Sequence, residues 1–260
     1  MKICRFVHPE TQSPSYGIVE GDSVHALSGE LSDGNLSLED RGAAFPLTTV
    51  RTLPPVMPSK IVCVGRNYRA HAEELGNPMP AEPLLFLKAP SAIIGDGDSI
   101  LLPEVSVRVE HEGELAVVIG RSAKNLSDSD DPFAHILGYT CLNDVTARDL
   151  QRKDVQFTRA KSFDTFCPVG PYVVTGLDPL DLQVETRVNG EVRQSGRTSA
   201  MAFAVPFLVR YISRVMTLEP GDLIATGTPA GVGPLRDGDT VEVEVEGVGA
   251  LRNGVRSASR

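Results

Sequence analysis

The chain has 260 residues, 41% of them hydrophobic and 23% charged, and a formal net charge of −9. That length suits one large domain, or a main domain with a small appendage, with enough chain to bury a sizeable core. The acidic balance argues against nucleic acid as a partner, and no apolar run approaches the roughly 18–20 residues of a membrane-spanning helix.

The N-terminus, Met-Lys-Ile-Cys-Arg-Phe-Val-His, carries no secretory-type apolar stretch. Cys4, Cys63, Cys141 and Cys167 form no C-x-x-C pair. Scattered thiols in apolar surroundings predict a reduced, cytoplasmic protein without a cysteine zinc site. An anionic small substrate stays compatible with the acidic charge, because a bound metal inverts the local field.

In chain order, strands are expected at 2–7, 16–20 and 23–27. Residues 28–58 are rich in Ser, Gly and Pro and read as a linker. Further strands are expected at 60–64, 84–88, 114–119, 136–142, 171–174, 183–188, 222–226, 240–246 and 249–253. Four Gly-Asp turn signals, at Gly21, Gly97, Gly221 and Gly238, each precede β-favouring residues. Asn189-Gly190 marks a two-residue hairpin. Helices are fewer: Tyr68 to Leu75, stopped at Gly76, then Thr146 to Asp154, then Ala202 to Arg214 with Pro206 in the first turn. The expectation is an α+β, β-rich chain, with a small N-terminal β module over 1–55 and a larger domain over 56–260.

Glu112 and Glu114 flank the start of the most apolar run, Glu-Leu-Ala-Val-Val-Ile. Two residues apart on a strand, they face the same way and repel unless a cation or a proton lies between them. A second run ends in Asn143-Asp144. Three carboxylates at two strand ends suit an all-oxygen site for a hard divalent cation; a half-exposed strand would also carry such a pair. His71 and Glu74 stand three apart, neighbours on one helical face. That pair suits a general base, and equally an ordinary surface pair. Lys88 and Lys161 are cations in or beside apolar segments, fit to hold a carboxylate or to stay at the surface. Thr226 to Gly233 is a Gly-rich loop without the Gly-Lys-Ser/Thr of a P-loop. Its backbone N–H groups and threonines suit a carboxylate, and a plain tight loop would look the same.

Six blocks in order make the set recognisable: KIVCVGRNYRAHAEE (60–74), LFLKA (85–89), EHEGELAVVIG (110–120), GYTCLNDVTARDLQ (138–151), AKSFDTFCPVG (160–170) and TLEPGDLIATGTPAGVG (217–233). The chain resembles the fumarylacetoacetate hydrolase family, over nearly everything after residue 55. The resemblance implies a mixed β-roll catalytic domain. It implies Mg²⁺ or Mn²⁺ on Glu112, Glu114 and Asp144, a lid over 66–76 carrying the His71–Glu74 dyad, and an active-site lysine at Lys161. It also implies substrate contacts from Arg66, Tyr68, Lys88, Arg148, Gln151 and Thr228.

The implied substrate is a small anionic 2-oxo or 2,4-dioxo acid reacting through an enolate. Carbon–carbon hydrolysis of an acylpyruvate comes first. Isomerisation or decarboxylation of a 2-hydroxyhepta-2,4-diene-1,7-dioate-type acid in aromatic catabolism, or oxaloacetate decarboxylation, is the alternative. A non-catalytic metal-binding module is a remote third. A homodimer is expected.

Overall fold

The computed structural model describes residues 1–258. Its spine is the strand Gly113–Ile119, every residue of which is buried. Leu115, Val117 and Ile119 point into one apolar cluster, whereas Ala116 and Val118 point into another. A strand covered on both faces needs a continuous apolar run instead of an alternating one, and 114–119 supplies it.

This strand pairs antiparallel with Ile136–Asn143 on one side and with Leu223–Ala225 on the other. Beyond Leu223–Ala225 the sheet continues through Ile61–Gly65, in parallel, to Leu84–Lys88. On the far side Ile136–Asn143 pairs with Cys167–Val174, which pairs with Lys2–Val7. The N-terminal strands Pro14–Glu20, Ser23–Leu27 and Arg41–Pro46 extend from there. One sheet therefore runs from the N-terminal strands to the strands that carry the carboxylates.

A second, five-stranded sheet holds the hairpin Gln183–Val188/Glu191–Arg197, then Thr240–Val245, Gly249–Ser257 and Ser99–Leu102. Its Val184, Val243, Val245 and Leu251 pack on the face of Leu115 and Val117. The helix Val205–Val215 adds Leu208, Val209 and Ile212 to the same core.

The turn chemistry is as expected. Gly21, Gly97, Gly221 and Gly238 all have positive φ, and Asn189 and Gly190 (φ 54° and 82°) make the tight hairpin turn. Two expectations need correction, and one element was not foreseen. Residues 28–58 are not a free linker: Arg41–Pro46 is a strand, and Leu31 and Val56 are buried in the core. Two buried apolar side chains and an edge strand were hidden by abundant Ser, Gly and Pro. Glu112 lies between the strands Val109–His111 and Gly113–Ile119, at the break, so it is not within a single strand. Thr158–Lys161 is a single helical turn, too short for periodicity to reveal. No helix among the described residues is long and apolar enough to cross a membrane.

Candidate active site

The strand ends meet where expected. Glu114 is paired across the ladder with Leu142, and Gly113 with Asn143. Asp144 follows directly, its N–H donating to the Glu112 carbonyl at 2.8 Å. Glu112, Glu114 and Asp144 are all buried, and each offers one carboxylate oxygen within 4.8 Å of the others.

Cations hold two of the three. Lys161 Nζ donates to Glu112 Oε2 and to Asp144 Oδ2, both at 2.7 Å. Arg148 reaches Glu112 Oε1 at 2.5 Å and Glu110 Oε2 at 2.6 Å. Lys88 donates to Asp144 Oδ1 at 2.6 Å. Among the described residues, the hydrogen-bond donor to the Glu114 carboxylate is the Gly227 N–H, at 2.7 Å. Four buried carboxylates, Glu110, Glu112, Glu114 and Asp144, thus meet three buried cations, Lys88, Arg148 and Lys161, and Glu110 also accepts from the exposed Arg108 at 2.5 Å.

The titration behaviour follows from how those partners are distributed. Burial alone would raise the Glu112 carboxyl, but Lys161 and Arg148 outweigh it and hold it well below the usual carboxylate range. Burial, then the charges of Asp144 and Glu112, push the Glu114 carboxyl well above that range. Burial opposes the charge on Lys161, yet Asp144 and Glu112 hold its ammonium above the ordinary lysine value. Three converging carboxylates, of which Glu114 has a backbone N–H and no cation as its partner among the described residues, fit a divalent cation with oxygen ligands.

The carboxylates floor a cavity of about 290 Å³. Helix α1 at Arg69–Glu74 brings His71 to its wall. His71 Nδ1 lies 3.3 Å from Glu74 Oε2, and both Glu74 oxygens accept from the Gly231 N–H at 3.1 Å. The Gly-rich loop thus grips a carboxylate of the chain itself. Arg66 also lines the cavity and holds φ at +57°, a left-handed conformation that costs a non-glycine residue energy and turns the chain into the helix. Arg148, Gln151, Arg152, Lys161 and Thr228 also stand on the polar wall, and Phe86 and Phe157 stand edge to face beside it, with Lys161 Nζ 5.1 Å over the Phe86 ring.

Lys88 and Tyr68 stand elsewhere. The Lys88 ammonium is sealed behind Asp144, between its carboxylate and the Val145 carbonyl at 3.1 Å, and does not line the cavity. Tyr68 is buried, its backbone bridging to Met201, and it is not part of the cavity lining. Both support the site and do not face it. A strand-end lysine and a loop tyrosine look alike in sequence whether they face inward or back.

Two residues were missed. Asn67 anchors the root of α1: its Nδ2 donates to the carbonyls of Phe203 and Thr226, and its Oδ1 accepts from the Phe203 N–H. Gln194, in the hairpin strand Glu191–Arg197, is fully buried against Thr228. Its neighbours Arg193 and Ser195 are exposed, so only strict alternation along that strand would have singled it out.

The family profile described as "Fumarylacetoacetate (FAA) hydrolase C-terminal" matches residues 60–256. The chain belongs to the fumarylacetoacetate hydrolase family. Residues 1–55 match "Rv2993c-like, N-terminal". An uncharacterized protein of Archaeoglobus fulgidus is 58% identical over 85% of this chain and 88% of its own. Oxaloacetate tautomerase YisK of Bacillus subtilis is 44% identical over 91% of this chain and 84% of its own. The crystal structure of 5-carboxymethyl-2-hydroxymuconate delta-isomerase from Mycobacterium smegmatis superposes with a TM-score of 0.89 at 45% identity, covering 99% of this chain and 100% of that one. The family's members are enzymes, and hydrolase, isomerase and tautomerase are all among their names.

Gly227 is the point where the family's Gly-rich loop meets the carboxylates. It has φ +99°, and an added Cβ would lie 2.7 Å from Asn67 Cβ and 3.1 Å from the Val64 carbonyl. Gly227→Ala is expected to cost about 1–3 kcal/mol of stability and to weaken divalent-cation binding by moving the Glu114 partner. Thermal denaturation with and without Mg²⁺ checks both; an unchanged melting temperature would contradict the close packing.

Proposed function

We propose that this chain catalyses proton transfer on a 2-oxo acid, interconverting keto and enol forms, with a divalent cation held by Glu112, Glu114 and Asp144. The observation that carries the reading is the placement of His71 on the same cavity as the three buried carboxylates. Mg²⁺ or Mn²⁺ bound there would polarise the acid's oxygens as a Lewis acid. The oxygen-only donor set favours these ions over Zn²⁺.

The residues divide the remaining work. Nδ1 of His71 faces Glu74, so Nε2 is the nitrogen left to take a proton from the carbon beside the carbonyl and to return it. Arg66 and Gln151 lie on the wall to hold carboxylate oxygens. The Gln151 Oε1 accepts from Arg148 Nη1 at 2.5 Å, which leaves its amide N–H groups free to donate. Phe86, Phe157, Leu75 and Leu84 exclude water from the other side. The relative named an oxaloacetate tautomerase supports this order of preference.

Carbon–carbon hydrolysis is the second reading. The apolar wall leaves room for an acyl chain, and a His71–Glu74 dyad can equally activate water. Metal-loaded protein offered enol oxaloacetate and a panel of acylpyruvates separates the two. The first reading expects enol-to-keto conversion without cleavage. Cleavage of acylpyruvates with no effect on oxaloacetate would reverse the order, and inertness towards every acid would sink both.

We also propose a cytoplasmic homodimer, supported by exposed apolar side chains at Val107, Val155 and Phe207 and by the prevalence of symmetric dimers. Light scattering at micromolar concentration is expected to give twice the single-chain mass; 27.9 kDa would count against it.

A further inference from the structure

Gln194 sits at the centre of a hydrogen-bond network whose polarity is fixed by the backbone. Its Oε1 accepts from the Gly113 N–H at 3.0 Å, and its Nε2 donates to the Pro229 carbonyl at 2.7 Å. A backbone N–H only donates and a carbonyl only accepts, so the amide has one possible orientation. His111 Nδ1, 3.0 Å from the same Oε1, must then carry its proton.

The second Nε2 hydrogen points to Thr228 Oγ1 at 2.6 Å. That hydroxyl therefore accepts from Gln194. Its own hydrogen goes to the Gly113 carbonyl, 2.8 Å away, which can only accept. Thr228 has spent its donor and one lone pair; what remains to a ligand is one acceptor lone pair. The threonine hydroxyl does not grip a carboxylate. Across the same cavity Gln151 keeps both amide hydrogens to donate, because Arg148 takes one lone pair of its oxygen and so fixes the orientation of the amide.

We propose that Gln194 is a positioning residue that makes Thr228 an acceptor-only contact, so that the cavity recognises a ligand hydroxyl, the O–H of an enol or 2-hydroxy acid, at the Thr228 position. Carboxylate and carbonyl oxygens belong on the Gln151 side. The inference rests on the keto–enol reading above and deepens it: a site that satisfies an enolic O–H binds the enol form more tightly than its ketone. It also gives the hairpin Gln183–Arg197 a role in the chemistry. Gly196 and Gly231 let that hairpin approach closely, since an added Cβ would meet Pro229 Cβ at 2.7 Å and the Arg193 carbonyl at 1.9 Å respectively.

The test is binding, measured by calorimetry on Mg²⁺-loaded protein. The probes are 3,3-dimethyl-2-oxobutanoate, which has no hydrogen to enolise, and 2-hydroxy-3,3-dimethylbutanoate, which has the same skeleton and a hydroxyl donor. Thr228→Val and Gln194→Met are each expected to move the hydroxy-to-oxo affinity ratio towards the oxo acid by roughly three- to tenfold, the worth of one hydrogen bond. Thr228→Ser should keep the wild-type ratio. In Gln194→Met the Thr228 side chain loses the donor that pins its oxygen beside the Gly113 carbonyl; it can then rotate and donate to the ketone, so the oxo acid gains affinity. A purely structural role would weaken both ligands alike.

Equal weakening, an unchanged ratio, a shift the other way, or no binding of either acid to the wild-type protein would overturn the proposal. Failure of the keto–enol reading looks different: turnover would be absent while the ratio still responds to Gln194 and Thr228.

Discussion

Replacing His71 with alanine is expected to lower turnover by roughly 10²–10⁴-fold, the usual worth of a general acid–base group, while divalent-cation affinity stays close to wild type. The separation follows from position. His71 is carried by α1, and its polar partner is Glu74, whereas the three carboxylates stand at strand ends, Glu112 and Asp144 tied to Lys88, Arg148 and Lys161 and Glu114 to the Gly227 N–H. Glu74→Ala removes the group that orients the imidazole and also frees the Gly231 N–H. It should slow the same step, and the double variant should lose less than the product of the two single losses, because both act through one dyad. Rate and metal content measured together on all three variants check this. Near-full rate in His71→Ala would leave the cation site as the sole source of catalysis and void the dyad.

Glu114→Gln is expected to have opposite effects on stability and on function. Glu114 is the carboxylate that the surrounding cations leave uncompensated, and burial with the nearby Asp144 and Glu112 charges disfavours its ionised form. The neutral amide removes that repulsion, and its oxygen can still accept the Gly227 N–H. Metal-free protein should therefore gain about 0.5–2 kcal/mol at neutral pH, the range typical when a residue kept for function is replaced. Divalent cations should lose most of their affinity, since one of three charged ligands is gone. Denaturant melts of chelated protein, paired with Mg²⁺ titration, decide it. A less stable metal-free variant would mean that Lys161 already neutralises the whole group, and that the fit to a cation has been misjudged.

The site was more legible in the sequence than the scaffold around it. Glu112, Glu114 and Asp144 could be placed because they adjoin apolar runs whose burial fixes the strand ends. The His71–Glu74 pair could be placed because the helix between Tyr68 and Gly76 has clear limits. Lys161 was visible as a residue but not as part of a helix, since four residues are too few for a period. Lys88 shows the limit of reading charge from sequence: its ammonium points back at Asp144, and only the sheet pairing of Ile61 with Lys88 reveals that. Gln194 and Asn67 were hidden for a related reason. Each acts by satisfying backbone groups far along the chain, and such partners exist only once the fold has formed. The linker reading of 28–58 failed because composition averages over Leu31 and Val56, which are few and buried.

The central claim is metal-dependent proton transfer by His71 at the carbon beside a 2-oxo group, and solvent exchange reads that step whatever the later fate of the enolate. Pyruvate or oxaloacetate is incubated in D₂O with metal-stripped protein, with Mg²⁺-reconstituted protein and with reconstituted His71→Ala, and loss of the C3 proton signal is followed by NMR. The account predicts rapid exchange only with reconstituted wild-type protein, at least roughly 10² times faster than with His71→Ala. Exchange at the buffer rate in every sample, with metal content verified, would contradict it.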